Sequence, residues 1–447
     1  MTGALATDLY ELNMAASYLR RGMVGPATFS LFVRDLPPSR GFLVATGLED
    51  CLTFLERFHF DEDELAWLGE ALGFDQPALD AFRRLRFTGE VWAVPEGRIV
   101  FAGEPLLEVT APIAEAQLVE TVLLNQVTFH TAVASKAARC RIAAAGADLV
   151  DFAFRRTHGV DAAMAVARAS AIVGFVATSN VEAARRFGLR AAGTMAHSFI
   201  EAFPDERAAF RAFAEDYPDL ATFLVDTYDT LGGVRAAIEV IRQLGLRDRL
   251  GVRLDSGELG ALAVETRRLL DQAGLGEVRI VASGSLDEFV IAELTARAAP
   301  IDAYGVGTKM GVSADAPYLD SAYKLVAYGD RPVLKLSPEK ATAPGRKQVF
   351  RAPDAHRELV GLREEPTPEG HEPLLVPVMA AGRRSRSGPA ESVEAARARF
   401  QADLAWLPGQ ARAIHEPQPV PVAFSERAER LREQARQDVA RRVAATS

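Results

Sequence analysis

The stretch Leu250-Gly-Val-Arg-Leu254, followed by Leu259, Leu262, Ala263, Thr266, Leu269, Leu270 and Ala273 and then by Val278-Arg-Ile-Val-Ala282, decides the fold class. The two outer runs are short and largely apolar, as buried strands are. The residues between them recur at three- and four-residue steps, which puts them on one helical face. Asp255 or Ser256 stands where that helix needs an N-cap. A strand, a helix and a strand of these lengths imply parallel pairing through a right-handed crossover.

The alternation extends to both sides. Leu149–Phe154, Ala171–Ala177, Ala221–Val225 and Ile301–Val306 read as further strands. The count is about six or seven, short of the eight of a closed barrel. The expected fold class is therefore α/β, an incomplete α/β barrel over residues 136–330. Residues 1–135 read as an N-terminal α/β domain: a helix near Asp8–Arg20, a strand Ala27–Val33, a helix near Leu48–Phe58 and short β-branched runs from Phe87 to Val109. Residues 331–447 are Pro- and charge-rich, with an exposed loop expected at Ala381–Ala390, including Arg383-Arg-Ser-Arg386, and helices at Glu391–Leu407 and Ser425–Ala444. The basic residues of the last helix alternate with acids, the pattern of a solvated face.

At 447 residues, with 49% hydrophobic and 25% charged residues, the chain has the composition of a globular protein of two or three domains. It holds no apolar run near the roughly 20 residues of a membrane helix. Asp8 and Glu11 interrupt any secretory signal. Cys51 and Cys140, the only cysteines, make neither a disulfide framework nor a zinc knuckle, so a reducing cytoplasm is expected, with both thiols buried. A net charge of −9 argues against a nucleic-acid partner. It leaves room for an anionic small substrate in a locally basic pocket.

In an α/β barrel the chemistry collects at the carboxyl ends of the strands. Polar and Gly-rich segments stand there repeatedly: Asp151–His158, Thr178-Ser-Asn180, Gly193-Thr-Met-Ala-His-Ser198, Asp226-Thr-Tyr-Asp-Thr230, Arg253-Leu-Asp-Ser-Gly257, Ser283-Gly-Ser285 and Gly305-Val-Gly-Thr-Lys309. Each is commonplace alone; their common register is what carries weight. Ser283-Gly284 and Gly305–Thr308 offer N–H groups and hydroxyls where barrels hold phosphate. A carboxylate at Asp226 is placed to fix the tautomer of His197. His158 has no comparable partner and reads as structural. No His-x-x-x-His or His-Glu-x-x-His spacing occurs, so a protein-held metal is not expected.

These residues resemble the nicotinate phosphoribosyltransferases, a family of type II phosphoribosyltransferases. The resemblance runs from Thr7-Asp-Leu-Tyr10 through Phe152–Arg155, Gly193–Phe199, Val225–Gly233, Gly251–Leu259, Gly305–Met310, Tyr323-Lys-Leu325 and Lys335–Lys340 to Leu407-Pro-Gly409 and Pro417–Val422, nearly the whole chain. It implies a homodimer with shared active sites, and C-terminal segments that pack on the N-terminal domain or form a small third one. By similarity His197 is phosphorylated by ATP, with Asp226 as its orienting carboxylate. Thr194 and Arg253 match nicotinate contacts, Phe152 an aromatic under the pyridine, and Tyr10 a second one lent by the partner subunit. Arg155, Asp255, Ser283, Gly284, Gly305, Gly307 and Thr308 match ribose and phosphate positions. The implied substrates are nicotinate, 5-phosphoribosyl 1-diphosphate and ATP, with Mg²⁺ on the phosphorylated ones. The implied reaction gives nicotinate mononucleotide and diphosphate, the first step of NAD synthesis from nicotinate.

Ser179 speaks to the choice between acid and amide. The related nicotinamide phosphoribosyltransferase, the alternative reading, carries an aspartate at the matching position. A neutral Ser179 leaves a substrate carboxylate free of like charge and able to pair with Arg253. Quinolinate phosphoribosyltransferases share the barrel but are shorter. A phosphate-binding barrel oxidoreductase needs a nucleotide fingerprint or a catalytic Cys loop, and neither cysteine lies at a barrel strand end. A non-catalytic binding protein is expected to have lost His197, Asp226 or Arg253.

Overall fold

Six short strands, Asp148–Asp151, Ala177–Thr178, Thr222–Leu224, Gly251–Leu254, Arg279–Ser283 and Ala303–Val306, form one sheet in the order second, first, sixth, fifth, fourth, third. The computed structural model describes residues 3–336, 342–354, 357–385 and 391–446. Every neighbouring pair in this sheet is parallel, with Ser283 opposite Gly305, Leu254 opposite Ala282 and Val306 opposite Asp151. One further parallel bridge, Thr178 to Ala191, prolongs the edge toward Gly193. The sheet lies in a unit of residues 133–317. An all-parallel sheet whose end strands do not pair with each other is the expected incomplete barrel.

The crossover helices start on capping side chains, and this corrects one expectation. Asn180, Asp205, Asp229 and Asp287 each accept from a backbone N–H of the helix that follows. For the helix Leu259–Gln272 the cap is Glu258, which accepts from Ala261 at 2.6 Å, and not Asp255 or Ser256. Gly257, at φ +83°, turns the chain between them, so Asp255 and Ser256 stay in the loop with other partners. A second expectation is corrected at Ala171–Ala177. Its first two residues end the buried helix Val160–Ile172, and only Ala177–Thr178 is strand. A short apolar run cannot by itself tell a buried helix end from a buried strand.

The other unit joins residues 1–132 with 318–447. Its seven-stranded antiparallel sheet runs Arg331–Pro332, Ser321–Tyr328, Pro26–Val33, Pro105–Pro112, Glu90–Ala93, Val376–Ala380, Arg383–Arg384. Alternation places Phe29, Leu31 and Val33 in the core, where Phe29 stacks on Tyr323 at 4.8 Å between centroids. Strands from both ends of the chain thus share one sheet. Part of the expected loop Ala381–Ala390 is the edge strand Arg383–Arg384, because Arg384 pairs with Glu49 and Glu56; residues 386–390 lie outside the described residues, as do 337–340 of the Lys335–Lys340 motif. The two late helices are Val393–Trp406 and Glu426–Thr446. Cys51 and Cys140 are both buried. No helix of the described residues is long and apolar enough to cross a membrane.

One carboxyl cluster in this unit sets a pH dependence. Burial pushes Glu120 up to about 7, helped by the charge of Glu11 and opposed by Lys324 and by hydrogen bonds from Gln117 and Tyr10. An acid raised in the fold binds its proton more tightly than in the unfolded chain. Stability therefore falls as pH rises from the unfolded value near 4.5 to about 7, then levels off. Glu120→Gln is expected to match the parent at pH 5 and to gain about 1 kcal/mol at pH 8, the full shift being reduced by solvent screening. Urea unfolding at the two pH values checks it; an equal or lower midpoint at pH 8 contradicts it.

Candidate functional site

At the carboxyl ends of the strands one guanidinium ties several loops together. Arg253, near the end of Gly251–Leu254, is largely buried, with 12% of its side chain exposed. Its Nε donates to Ser283 Oγ at 2.9 Å, Nη1 to Thr194 Oγ1 at 2.7 Å and Nη2 to Asp255 Oδ1 at 2.9 Å. Three separate loops are held by one planar fork, which only arginine provides. Its Cζ lies 5.7 Å from the centroid of the Phe152 ring, within cation–π range.

Phe152 follows the strand Asp148–Asp151, and its N–H donates to Val306 O at 2.8 Å. A Cβ on Gly305 would stand 2.5 Å from the Phe152 ring atoms, so the ring lies directly against a strand that must be bare there. Asp151 anchors this turn: Oδ1 accepts from Ala153 N–H and Oδ2 from Thr178 Oγ1, at 2.8 and 2.7 Å. Burial raises the Asp151 carboxyl despite those bonds.

Asp255 is the shared acceptor. Burial favours its proton, but hydrogen bonds from Ser283 and Arg253 and the charges of Arg253 and His197 win, and the carboxyl lies below its usual range. It is an anion at neutral pH. Gly284, at φ +90°, lets the Ser283 turn pass so close that a Cβ there would stand 1.9 Å from Asp255 O.

His197 opens the short helix His197–Glu201, with 42% of its side chain exposed. Its Nδ1 is 3.2 Å from Thr227 Oγ1, and Nε2 is 3.9 Å from Asp255 Oδ2. The second distance is electrostatic contact without a hydrogen bond. Asp226 does not orient this ring. Its Oδ2 accepts from Asp255 N–H at 3.2 Å and Ser256 Oγ at 2.5 Å, and Oδ1 is buried with no hydrogen-bond partner among the described residues. The strands Thr222–Leu224 and Gly251–Leu254 are paired, so Asp226 meets the neighbouring turn, and Thr227, one residue on, reaches the histidine.

The strand ends therefore gather Phe152, Thr194, His197, Asp226, Arg253, Asp255, Ser283, Gly284 and Gly305, with Ser179, Gly307 and Thr308 at the ends of the neighbouring strands. Ser179 is half-buried, its N–H bonded to Asp151 O at 2.8 Å. Arg155, in the 3₁₀ turn Phe154–Arg156, is exposed, with no ion pair among the described residues, and His158 is exposed as well. Tyr10 belongs to the other unit and is 48% exposed. Burial, Glu120 and Glu11 keep its hydroxyl protonated. Thr227 and Ser256 lie inside polar strand-end segments that the sequence singles out, but their contacts to His197 and Asp226 carry no sequence signal of their own. No group of three or more His, Cys, Asp or Glu poised for a metal lies among the described residues.

A bidentate cation beside an aromatic floor, with an anion next to two Gly-rich turns, suits a flat carboxylate and a sugar phosphate. Known proteins agree in class. Residues 5–128 match the nicotinate phosphoribosyltransferase N-terminal domain, 147–329 the nicotinate phosphoribosyltransferase family domain and 333–432 the C-terminal domain of the same proteins. The nicotinate phosphoribosyltransferase pncB2 of Mycobacterium tuberculosis is 49% identical over 429 residues, 95% of this chain and 92% of that protein. The nicotinate phosphoribosyltransferase of Bacillus subtilis is 44% identical over 78% of this chain and 73% of its own length. The crystal structure of human nicotinic acid phosphoribosyltransferase superposes with a TM-score of 0.84 at 30% identity, covering 96% of this chain and 99% of that one. On matches that span all three segments and nearly the full length, this chain belongs to the nicotinate phosphoribosyltransferase family.

Proposed function

We propose that this chain joins nicotinate to 5-phosphoribosyl 1-diphosphate, giving nicotinate mononucleotide and diphosphate. The observation that carries the reading is Arg253, fixed by Thr194, Ser283 and Asp255 beside the Phe152 ring. A guanidinium so held meets a carboxylate in one orientation, and the ring holds the pyridine flat. The pyridine nitrogen is already a nucleophile, so the step needs no base: the N–C1 bond forms as the C1–O bond to diphosphate breaks. Charge that develops on the sugar is stabilised by the ionised Asp255. Neutral Ser179 favours the acid over the amide.

Mg²⁺ enters with the diphosphate. The site suits such an ion, which binds one or two carboxylates and takes its other ligands from phosphate and water: Asp226, which would hold it, keeps one oxygen without a hydrogen-bond partner among the described residues. The ion supplies charge neutralisation to the leaving group. His197, half exposed with Nδ1 at Thr227, is the acceptor for a phosphoryl group from ATP, whose hydrolysis draws the reaction toward the mononucleotide. Arg155, Gly284, Gly305, Gly307 and Thr308 hold the ribose and phosphates. The working form is a cytoplasmic homodimer in which Tyr10 of one protomer serves the other's site.

Purified protein with Mg²⁺, 5-phosphoribosyl 1-diphosphate and either nicotinate or nicotinamide, with and without ATP, tests this. Nicotinate mononucleotide, raised by ATP, is the expected product; turnover of nicotinamide alone overturns the reading. In the same assay His197→Ala is expected to keep the ATP-independent rate within about 3-fold and to lose ATP stimulation. A variant still stimulated by ATP removes His197 from that role.

A further inference from the structure

Of the side chains in Gly305-Val-Gly-Thr-Lys309, the lysine has no role in the site described so far. Its Nζ lies 2.8 Å from Asp287 Oδ2, with 40% of its side chain exposed against 10% for Asp287. Asp287 is fixed by other bonds: its Oδ1 accepts from the N–H groups of Phe289 and Val290 at 3.1 and 3.0 Å. Below it Glu288 is fully buried between Lys136 at 2.6 Å and Arg139 at 3.0 Å, with Asp315 3.1 Å from Lys136. Burial raises the Asp287 carboxyl, but Lys309, the Val290 N–H and Lys136 outweigh it and hold it below the usual range. The carboxylate is thus anchored on a rigid base, and the lysine is the movable partner.

The position of the pair gives it a use. Asp287 stands two residues beyond Ser283-Gly-Ser285, and Lys309 two beyond Gly307. Ser283 and Gly305 are opposite one another in the parallel ladder, so the ion pair ties the two Gly-rich turns together. Lys309 is the one cationic side chain in 283–287 and 305–310. Arg253 is assigned to the nicotinate carboxylate, and Ser283, Thr194 and Asp255 hold it at that end of the site. Within these two turns, backbone N–H groups and hydroxyls leave a dianion short of countercharge; an exposed ammonium on a flexible stem supplies it there.

We propose that Lys309 is the cation for the 5-phosphate of the phosphoribosyl group, and that Asp287 positions it between the two turns. The proposal rests on the function proposed above. Its test compares two probes that differ only in that phosphate, nicotinate mononucleotide and nicotinate riboside, titrated calorimetrically into the full-length protein. The parent is expected to bind the mononucleotide more tightly. Lys309→Gln is expected to cut that preference by about 10-fold or more, with riboside affinity within about 2-fold, and Lys309→Arg to restore most of it. Asp287→Asn, which keeps the capping oxygen, is expected to cut the preference by about 3-fold. An unchanged preference in Lys309→Gln, or equal weakening of both probes, overturns the role of Lys309. A parent that binds neither probe overturns the functional reading itself, a different result from the first two. Melting curves of the variants verify the fold.

Discussion

With Arg253 replaced by lysine, kcat/KM for nicotinate falls by about 10³-fold although the positive charge is kept. The guanidinium uses three nitrogens on three loops, at Ser283, Thr194 and Asp255. An ammonium reaches one or two of these from a single point and cannot face a planar carboxylate in parallel. Hydrogen bonds to charged groups are worth about 1.5–3 kcal/mol each, so losing two costs roughly 3–6 kcal/mol of transition-state stabilisation. The loss is expected mostly in nicotinate KM and kcat, with the KM for 5-phosphoribosyl 1-diphosphate changed much less. The preference for nicotinate over nicotinamide is expected to shrink as well, because the fork proposed to recognise the acid is gone. Initial rates with both pyridines measure all of this. A loss below about 10-fold, with the preference intact, means that Arg253 braces the loops without meeting the substrate.

What the sequence made legible follows from how local each signal is. The crossover Leu250–Ala282 was readable because strand and helix periods alternate within one short span, and the strand ends then followed from the barrel rule. Arg253, Asp255 and Ser283 were readable as site residues for that reason alone. Side-chain partners were not. Asp226 and Thr227 are adjacent, and which of them meets His197 depends on the direction each leaves the paired strands Thr222–Leu224 and Gly251–Leu254. The cap at Glu258 was hidden because Asp255 and Ser256 are equally good capping residues, and only the turn at Gly257 excludes them. Ser321–Tyr328 pairs with Pro26–Val33 across almost three hundred residues of chain, and no local pattern records so distant a partner.

Gly284→Ala is expected to lower kcat/KM by at least about 10²-fold and stability by about 2–4 kcal/mol. Two separate causes act at this position. The backbone stands at φ +90°, where an L side chain is strained by about 1–2 kcal/mol. The added Cβ would also meet Asp255 O at 1.9 Å, an overlap with backbone that no rotamer relieves. The turn must therefore move away from Asp255, and Ser283, one residue back, moves with it. Ser283 Oγ is bonded to both Asp255 Oδ1 and Arg253 Nε, so the displacement passes directly into the guanidinium proposed to meet nicotinate. Gly188→Ala separates strain from displacement. Gly188 has φ +66° at the end of the helix Val181–Phe187, and a Cβ there meets nothing within 4 Å. It is expected to cost about 1 kcal/mol and to leave kcat/KM within about 2-fold. Denaturant unfolding and initial rates on the two variants distinguish the causes. If both alanines cost the same stability and neither changes the rate, the close approach of Gly284 to Asp255 has no part in holding the site. If Gly284→Ala alone loses activity, the bare backbone at this turn is what lets Asp255, Ser283 and Arg253 meet.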